Sequence, residues 1–242
     1  MASTQSQPSV FVREGFRWDA HHAYLFDIDG TLLRCRDRIH VNAFLSSVRA
    51  VMGRDFTLDG VTLSGNTDPG ILRDVFRLAA LESAHWEPHF EAILQRMRDD
   101  VALRRDEMKI DKMPGVDEAL QHLRAKGAVL GIATGNLETI GWLKIEHLGL
   151  RHWFTFGGFS DRFPARADMI ADAARKARTQ AGLHASVCVV GDTPSDITAA
   201  RANKLAAIAV ATGNYTFDQL MEHDPDACAA NFIALRALTE NS

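Results

Sequence analysis

The sequence predicts an α/β fold built on a parallel sheet, and two patterns along the chain support that prediction. Four short apolar runs each end at a polar residue or a glycine, as buried strands do. These runs cover residues 23–28, 128–134, 186–192 and 206–212. Segments of helical periodicity lie between them, at residues 116–125, 137–147, 167–181 and 194–202. Because strands alternate with helices, we expect a Rossmann-like core with helices on both faces of the sheet.

A long stretch after the first strand interrupts this alternation. It has helical periodicity but no clear strand, and its helical segments cover residues 40–52, 70–81 and 86–105. A turn-rich segment at residues 63–70 divides it, and Pro114 with Gly115 marks the return to the alternating pattern. We therefore predict a helical cap that is inserted after the first strand.

The predicted organisation has three parts. Residues 1–20 are polar and lack periodicity, which indicates a mobile N-terminal lead-in. Residues 21–33 and 113–242 form the α/β core, and residues 34–112 form the helical cap. No linker is long enough to indicate further independent domains.

Composition argues against several classes of protein. Among the 242 residues, 27 Lys and Arg against 31 Asp and Glu leave a net charge of −4, which disfavours nucleic acid or an anionic membrane as a partner. The three cysteines are far apart and form no CxxC pair, so we predict a reducing, cytoplasmic location. The first ten residues lack the apolar centre of a signal peptide, and no apolar stretch is long enough to span a membrane. No pattern indicates an oligomeric state.

The strongest chemical signal is the motif Asp27-Ile-Asp-Gly-Thr31 at the end of the first strand. Side chains alternate along a strand, so the carboxylates of Asp27 and Asp29 can leave its carboxyl end in the same direction. Open α/β sheets bind ligands at that edge. Two like charges repel each other, so folding alone does not favour them there. An ordinary Asp-Gly turn is the alternative, and the apolar strand before the motif makes it the weaker one.

A second signal is Gly191-Asp-Thr-Pro-Ser-Asp196, again at the end of a strand. Thr193 fits a helix N-cap, Pro194 fits the first helical position, and Asp196 fits the acid of a capping box. Capping does not explain Asp192, a charge at the tip of an apolar strand. Both interpretations can hold together, since a cap can fix the turn while Asp192 faces a metal ion.

Two weaker signals lie between these motifs. Thr134, Gly135 and Asn136 end the middle strand, where a hydroxyl and backbone N–H groups before a helix can bind an anion. Arg166 begins a later helix, and on its own it would be interpreted as a surface arginine.

The four signals occur in one order on one α/β pattern: D-x-D-G-T, T-G-N, a basic residue and G-D-x-x-x-D. This order resembles the haloacid dehalogenase-like hydrolase superfamily, in particular its phosphatases with a helical cap after the first strand. The closest resemblance is to phosphoglycolate phosphatase-like members. It covers roughly residues 22–235.

The resemblance implies a role for each residue of the motifs. Asp27 would be the nucleophile, and Asp29 would be the general acid and base, with its backbone carbonyl on the metal. Arg166 stands where the family usually has a lysine and completes the catalytic set. The phosphate-binding residues would be Thr134, Gly135 and Asn136. The metal site would comprise Asp27, Asp29, Asp192 and Asp196, with Asp196 either a ligand or a support, and the metal implied is Mg²⁺.

Elementary electrostatics agrees with a bound cation. A carboxylate about 4 Å from a phosphate charge is repelled by roughly 4 kcal/mol at an effective dielectric near 20. An oxygen-only site with few protein ligands suits Mg²⁺, which keeps some of its waters and bridges to phosphate. We therefore predict a Mg²⁺-dependent phosphatase that acts on a small phosphorylated metabolite through a phospho-aspartate. In the superfamily, members that cleave haloacids or phosphonates lack the second aspartate of D-x-D, which is present here as Asp29.

Two other functions stay open. A sugar-phosphate mutase of the same superfamily uses the same core. A non-enzymatic phospho-acceptor module also places acids, a threonine and a basic residue at the ends of strands, although the helical insertion and Asp29 disfavour it.

Two features near the motifs have two interpretations each. The run Arg34, Arg36 and Arg38 either meets a second anionic group of the substrate or is a solvated charge run. The turn at residues 64–68 either faces the active site or simply connects two helices, with Asp68 near an N-cap.

Overall fold

Nine strands form the framework of residues 10–240, the part of the chain that the computed structural model describes. They are β1 Val10–Val12, β2 Ala23–Phe26, β3 Leu33–Cys35, β4 Ile110–Lys112, β5 Val129–Ala133, β6 Phe156–Gly158, β7 Val187–Gly191, β8 Ala206–Val210 and β9 Ala227–Ala229. Seven strands form one sheet in the spatial order β1-β9-β8-β7-β2-β5-β6, which is parallel except for β1. The α/β prediction is therefore confirmed.

Ten α-helices accompany the strands over the same residues. Four lie in the insertion: α1 Ile39–Met52, α2 Asp68–Leu78, α3 Ser83–Trp86 and α4 Phe90–Leu103. Six follow it: α5 Val116–Ala125, α6 Glu138–His147, α7 Arg166–Ala181, α8 Pro194–Ala202, α9 Phe217–Met221 and α10 Phe232–Glu240. Within residues 10–240, no helix combines the length and the apolar character that crossing a membrane requires.

The central strand β2 is buried on both faces. Its side chains alternate, so Tyr24 and Phe26 enter one hydrophobic core and Ala23 and Leu25 enter the other. Helices α5, α6 and α10 contribute to the first core, and helices α7, α8 and α9 contribute to the second. Because both faces are covered, ligands can reach β2 only at its ends, and its carboxyl end carries the first acidic motif.

The predicted mobile lead-in is wrong for residues 10–20. Strand β1 pairs antiparallel with β9, with Val10 opposite Ala229. Trp18 and Asp19 are buried. The three-residue strand was too short to be detected as an apolar run. Residues 1–9 of the predicted lead-in lie outside the described residues.

The insertion contains the expected helices, but the expectation that it has no strand is wrong at its two ends. Strands β3 and β4 pair antiparallel, with Leu33 opposite Lys112. Arg34, Cys35 and the last two residues of β4 are exposed, so these strands show no apolar run in the sequence. We retain residues 34–112 as a proposed cap, with this strand pair at its base.

Candidate active site

The carboxyl ends of β2, β5 and β7 meet at a cavity of about 520 Å³. Every predicted site residue except Asp196 lines it: Asp27, Asp29, Thr134, Gly135, Asn136, Arg166 and Asp192. Residues of the insertion line the opposite wall. The motifs that are distant in the chain therefore converge, because parallel strands place their carboxyl ends at one edge of the sheet.

Three buried carboxylates form one cluster in this site. Asp27, Asp192 and Asp196 each offer an oxygen, and these oxygens lie within 4.8 Å of one another. Within residues 10–240, the side chain that forms ion pairs with two of them is Arg166, whose Nη2 is 3.0 Å from Asp27 Oδ1 and 2.6 Å from Asp196 Oδ1. The cluster thus contains three acids and one guanidinium.

The electrostatics of the cluster reflect this excess of acids. Burial raises the pKa of Asp27 to about 6, because the nearby Arg166 only partly offsets the desolvation of the carboxylate. Burial also raises the pKa of Asp192, and the charges of Asp27 and Asp196 add to this effect. A divalent cation would relieve both effects, and the donors are hard carboxylate oxygens of the kind that Mg²⁺ prefers. The residues therefore fit a bound Mg²⁺.

The glycine and threonine of the first motif hold Asp192 in place. The Thr31 hydroxyl donates a 2.8 Å hydrogen bond to Asp192 Oδ1. Gly30 has a φ of +89°, and a Cβ there would overlap the Asp192 carboxylate. A Cβ at Gly213, after β8, would overlap the same carboxylate. The backbone on two sides therefore fits closely around the second acidic motif.

Asp196 forms the capping-box contact that the sequence predicts. Its Oδ2 accepts hydrogen bonds from the Thr193 N–H at 3.1 Å and from the Thr193 hydroxyl at 2.7 Å. Its Oδ1 accepts from Arg166. Both oxygens are thus already engaged, and Asp196 fixes Arg166 as well as the start of α8.

Arg166 is buried, whereas the residue type alone suggested a surface position. Its side chain is 8% exposed and bridges Asp27 and Asp196. Its Nε is buried and has no hydrogen-bond partner among residues 10–240. An unpaired buried N–H is costly, so Arg166 is held here chiefly by its ion pairs with the two carboxylates.

Asp29 has a very different environment. Lys144 Nζ lies 2.8 Å and 2.7 Å from its two carboxylate oxygens. The amide of Asn136 also donates to Asp29, at 2.8 Å. Burial alone would raise the pKa of Asp29, but the charge and hydrogen bonds of Lys144 outweigh burial, so the pKa is lowered.

In the segment from Thr134 to Asn136, the predicted anion-binding groups of Asn136 already have partners in the protein. The Asn136 N–H and side-chain amide both donate to the Thr134 hydroxyl oxygen, at 3.3 Å and 2.7 Å. The Asn136 side-chain oxygen Oδ1 accepts a hydrogen bond from Lys144 Nζ at 2.8 Å. The structure therefore gives Asn136 protein partners around Asp29, while Thr134 and Gly135 also line the cavity.

The turn at residues 64–68 faces the site and also begins a helix. Thr67 caps α2 by accepting the Gly70 N–H at 3.1 Å. The Asp68 N–H donates to the Gly135 carbonyl, and Asp68 Oδ2 accepts the Leu137 N–H, both at 2.8 Å. A Cβ at Gly135 would overlap the Asn66 carbonyl. The insertion is therefore docked directly on the loop after β5.

Residues 24–210 match the haloacid dehalogenase-like hydrolase family. The chain belongs to this family. It is 27% identical over 214 residues to a phosphoglycolate phosphatase from Agrobacterium fabrum, which covers 87% of this chain and 89% of the relative. Family membership together with phosphatase relatives confirms the expectation of an enzyme that hydrolyses phosphoric monoesters.

Solved structures share the fold of this hydrolase. A hydrolase from Pseudomonas syringae has a TM-score of 0.66 at 18% identity and covers 91% of this chain and 98% of its own. A candidate β-phosphoglucomutase from Thermotoga maritima has a TM-score of 0.55 at 19% identity and covers 90% and 99%. At these identities the likeness establishes the fold alone, and mutases are among the proteins that share it.

Sequence reasoning missed Lys144 of this hydrolase. Lysines in a helix are usually solvated, and α6 also carries exposed charges. One signal was present: Lys144 lies four residues after Ile140 and beside Ile145, on the face that the helix buries. A charged residue on an apolar helical face calls for a buried partner, and that partner is Asp29.

The arginine run of the hydrolase is divided between two environments. Arg34 and Arg38 line the cavity, whereas Arg36 pairs with Asp111 on β4. Within the described residues, no carboxylate lies within ion-pair distance of Arg34 or Arg38. The run therefore has one member with a carboxylate partner, Arg36, and two that lie beside the cavity.

Proposed function

We propose that this hydrolase is a Mg²⁺-dependent phosphatase of small phosphate monoesters that works through a phospho-aspartate on Asp27. The observation that carries the proposal is the contrast within D-x-D. Asp27 lies in a cluster with too little positive charge, while Asp29, two residues later, is neutralised by Lys144. A metal and a phosphoryl group fit the first environment, and a carboxylate that stays ionised and can accept a proton from water fits the second.

The proposed metal ligands are the carboxylates of Asp27 and Asp192 and the backbone carbonyl of Asp29. Asp196 was included in the predicted set, but its oxygens already bind Arg166 and Thr193, so we assign it a supporting role. Bound Mg²⁺ would offset the charge of the acids and of the phosphate.

In the first chemical step, an Asp27 oxygen attacks phosphorus and the bond from phosphorus to the ester oxygen breaks. The ester oxygen leaves with a proton from Asp29, whose protonated form the approaching phosphate charge favours. In this proposal Arg166 and the Thr134 hydroxyl, which both line the cavity, donate to the phosphoryl oxygens.

In the second step, Asp29 takes a proton from water and that water attacks the phosphorus on Asp27. The bond between phosphorus and the Asp27 oxygen breaks, and inorganic phosphate leaves. In the described state Lys144 holds Asp29 in its ionised form, which is the form that accepts the proton. The insertion, docked over the loop after β5, limits access of bulk water.

The cavity wall also supports a class of substrate. Arg34 and Arg38, which have no carboxylate within ion-pair distance among the described residues, line this cavity of about 520 Å³. We propose a small metabolite with a second anionic group, and the phosphoglycolate phosphatase relative is consistent with this class. A cytoplasmic location is part of the proposal, supported by three cysteines that are all free thiols.

The experiment that tests the function is release of phosphate from p-nitrophenyl phosphate with Mg²⁺ present. We expect the wild type to be active and Asp27→Asn to lose on the order of 10⁴-fold in kcat, as loss of a nucleophile does. Asp172→Asn is the matched control, because Asp172 pairs with Arg175 and Lys176 away from the cavity. Equal turnover by the wild type and Asp27→Asn would remove Asp27 as nucleophile.

The mutase alternative has its own measurement. The fold is shared with a candidate mutase, so a sugar phosphate should be assayed for both products. Isomerisation faster than release of phosphate would favour the mutase.

A further inference from the structure

A chain of hydrogen bonds connects the insertion with Asp29. Asp68, at the start of α2, lies 3.1 Å from His40 Nε2. His40 lies at the start of α1, and its Nδ1 is 3.1 Å from Lys144 Nζ. Lys144 then contacts both oxygens of Asp29. Two insertion residues thus connect to the catalytic aspartate through one core lysine.

The donors and acceptors along this chain can be assigned. The Lys144 ammonium has three N–H donors and no acceptor. It contacts three residues: Asp29 through both carboxylate oxygens, which share a donor, the Asn136 side-chain oxygen and His40 Nδ1. His40 Nδ1 must therefore accept. His40 consequently carries its proton on Nε2 and donates to Asp68 Oδ2. Each hydrogen bond then has a defined direction from Lys144 outwards.

Burial makes this arrangement restrictive. The side chain of Lys144 is 3% exposed, and those of His40 and Asp68 are 13% and 5% exposed. A buried ammonium that loses a partner is strongly disfavoured, so Lys144 has few alternatives to its present position. Asp68 is fixed in turn by the Leu137 N–H.

We propose that Lys144 is a positioning residue that orients the Asp29 carboxylate for attack by water, and that His40 and Asp68 of the insertion hold Lys144 in that position. This inference rests on the proposed function. Asp29 is oriented correctly only while the insertion is docked, because His40 belongs to α1 and Asp68 to α2. Hydrolysis of phospho-Asp27 therefore depends on the insertion being docked on the loop after β5.

The two chemical steps allow a sharp test. p-Nitrophenolate is a good leaving group that needs no proton from Asp29, so its release in a rapid-mixing experiment measures the attack by Asp27. Steady-state turnover also includes the attack of water, which needs Asp29. A positioning defect at Asp29 should slow turnover and leave the initial burst of p-nitrophenolate intact.

The variants are Lys144→Met, His40→Phe and His40→Gln, assayed in the full chain with Mg²⁺. We expect Lys144→Met to lower steady-state turnover about a hundredfold, the size of a general acid–base contribution, and His40→Phe about tenfold. The burst rate should stay within about threefold of the wild type. His40→Gln can still accept from Lys144 and donate to Asp68, so it should recover most of the turnover lost in His40→Phe.

Controls separate positioning from folding. His85 lies in the same insertion, is exposed and does not line the cavity, so His85→Phe should match the wild type in both phases. If Lys144→Met does not fold, the two His40 variants still test whether this chain of hydrogen bonds positions Asp29. Parallel loss of burst and turnover, or unchanged turnover in His40→Phe, would overturn the inference. Failure of the function would instead appear as full turnover by Asp27→Asn.

Discussion

Asp27 and Asp29 are the same residue type, two positions apart and both at the end of β2, yet their surroundings are opposite. Asp27 faces Asp192 and Asp196 with one shared guanidinium, and burial raises its pKa to about 6. Asp29 faces Lys144 and Asn136, which lower its pKa. The difference shows that neighbours from distant elements, and not the motif itself, set the electrostatic environment of each carboxylate, and the proposed function gives the two environments different tasks.

After loss of the nucleophile itself, the largest expected effect concerns the missing positive charge around Asp27. Removing Mg²⁺ with a chelator should lower kcat/KM for p-nitrophenyl phosphate about a thousandfold, since roughly 4 kcal/mol of repulsion is left without an offset. Adding Mg²⁺ back should restore activity. Asp192→Asn should require a higher Mg²⁺ concentration for half-maximal activity. Undiminished turnover in chelator would show that the acid cluster does not depend on a cation.

The next effect concerns Arg166, the positively charged side chain that pairs with Asp27. Arg166→Met should lower kcat/KM about a hundredfold, because it removes the proposed donor to phosphate and leaves Asp27 and Asp196 without their partner. Arg166→Lys keeps the charge but cannot bridge the two carboxylates in the same way, so its loss should be smaller. If both variants equal the wild type in the steady-state assay, Arg166 has only a structural role.

A smaller effect is expected at the far wall of the cavity. Arg34→Ser combined with Arg38→Ser should lower kcat/KM about tenfold for a phosphate monoester that carries a carboxylate, as loss of charge-assisted hydrogen bonds does. The value for p-nitrophenyl phosphate should not change. Arg36→Ser is the matched control, because Arg36 pairs with Asp111 outside the cavity. Equal losses for both substrates would contradict recognition of a second anionic group.

The smallest expected effect is on stability, and it concerns Asp19, a second acid whose pKa is lowered but which lies outside the cavity. Asp19 is buried beside His122 and Lys126. Burial would raise the pKa of Asp19, but hydrogen bonds from His122 and Lys126 lower it overall. This contribution to stability is therefore present above the unfolded pKa of about 3.9 and is lost as the pH falls through the lower folded value.

Urea unfolding measures the contribution of Asp19 to stability. Asp19→Asn should reduce the free energy of unfolding by about 1 kcal/mol at pH 7, and the difference should shrink below about pH 4. Catalytic turnover should be unchanged. A loss of turnover without a loss of stability would mean that Asp19 acts on the site rather than on the fold.

The sequence predicted those parts of the molecule that have a local signature. The four central strands are apolar runs, and the acids Asp27 and Asp192 stand out because charge follows an apolar strand directly. The strands β1, β6 and β9 have three residues each, which is too short for a periodic pattern. Strands β3 and β4 are largely polar, so they form no apolar run from which a strand could be predicted.

The site was predicted less completely for a different reason. Burial of Arg166 depends on acids from two other motifs, and burial of Lys144 depends on Asp29, more than a hundred residues earlier. No local pattern expresses such a pairing. The resemblance to a family supplied a role for Arg166, but it supplied none for Lys144, His40 or Asp68.

The most direct test of the contrast between the two aspartates is to trap the phosphorylated enzyme. The hydrolase would be mixed with substrate and Mg²⁺, quenched in acid within the first turnover, digested and examined by mass spectrometry. We predict one added phosphoryl group on Asp27, more of it in Lys144→Met than in the wild type, and none in Asp27→Asn. A phosphoryl group on Asp29 or on another residue would contradict the account.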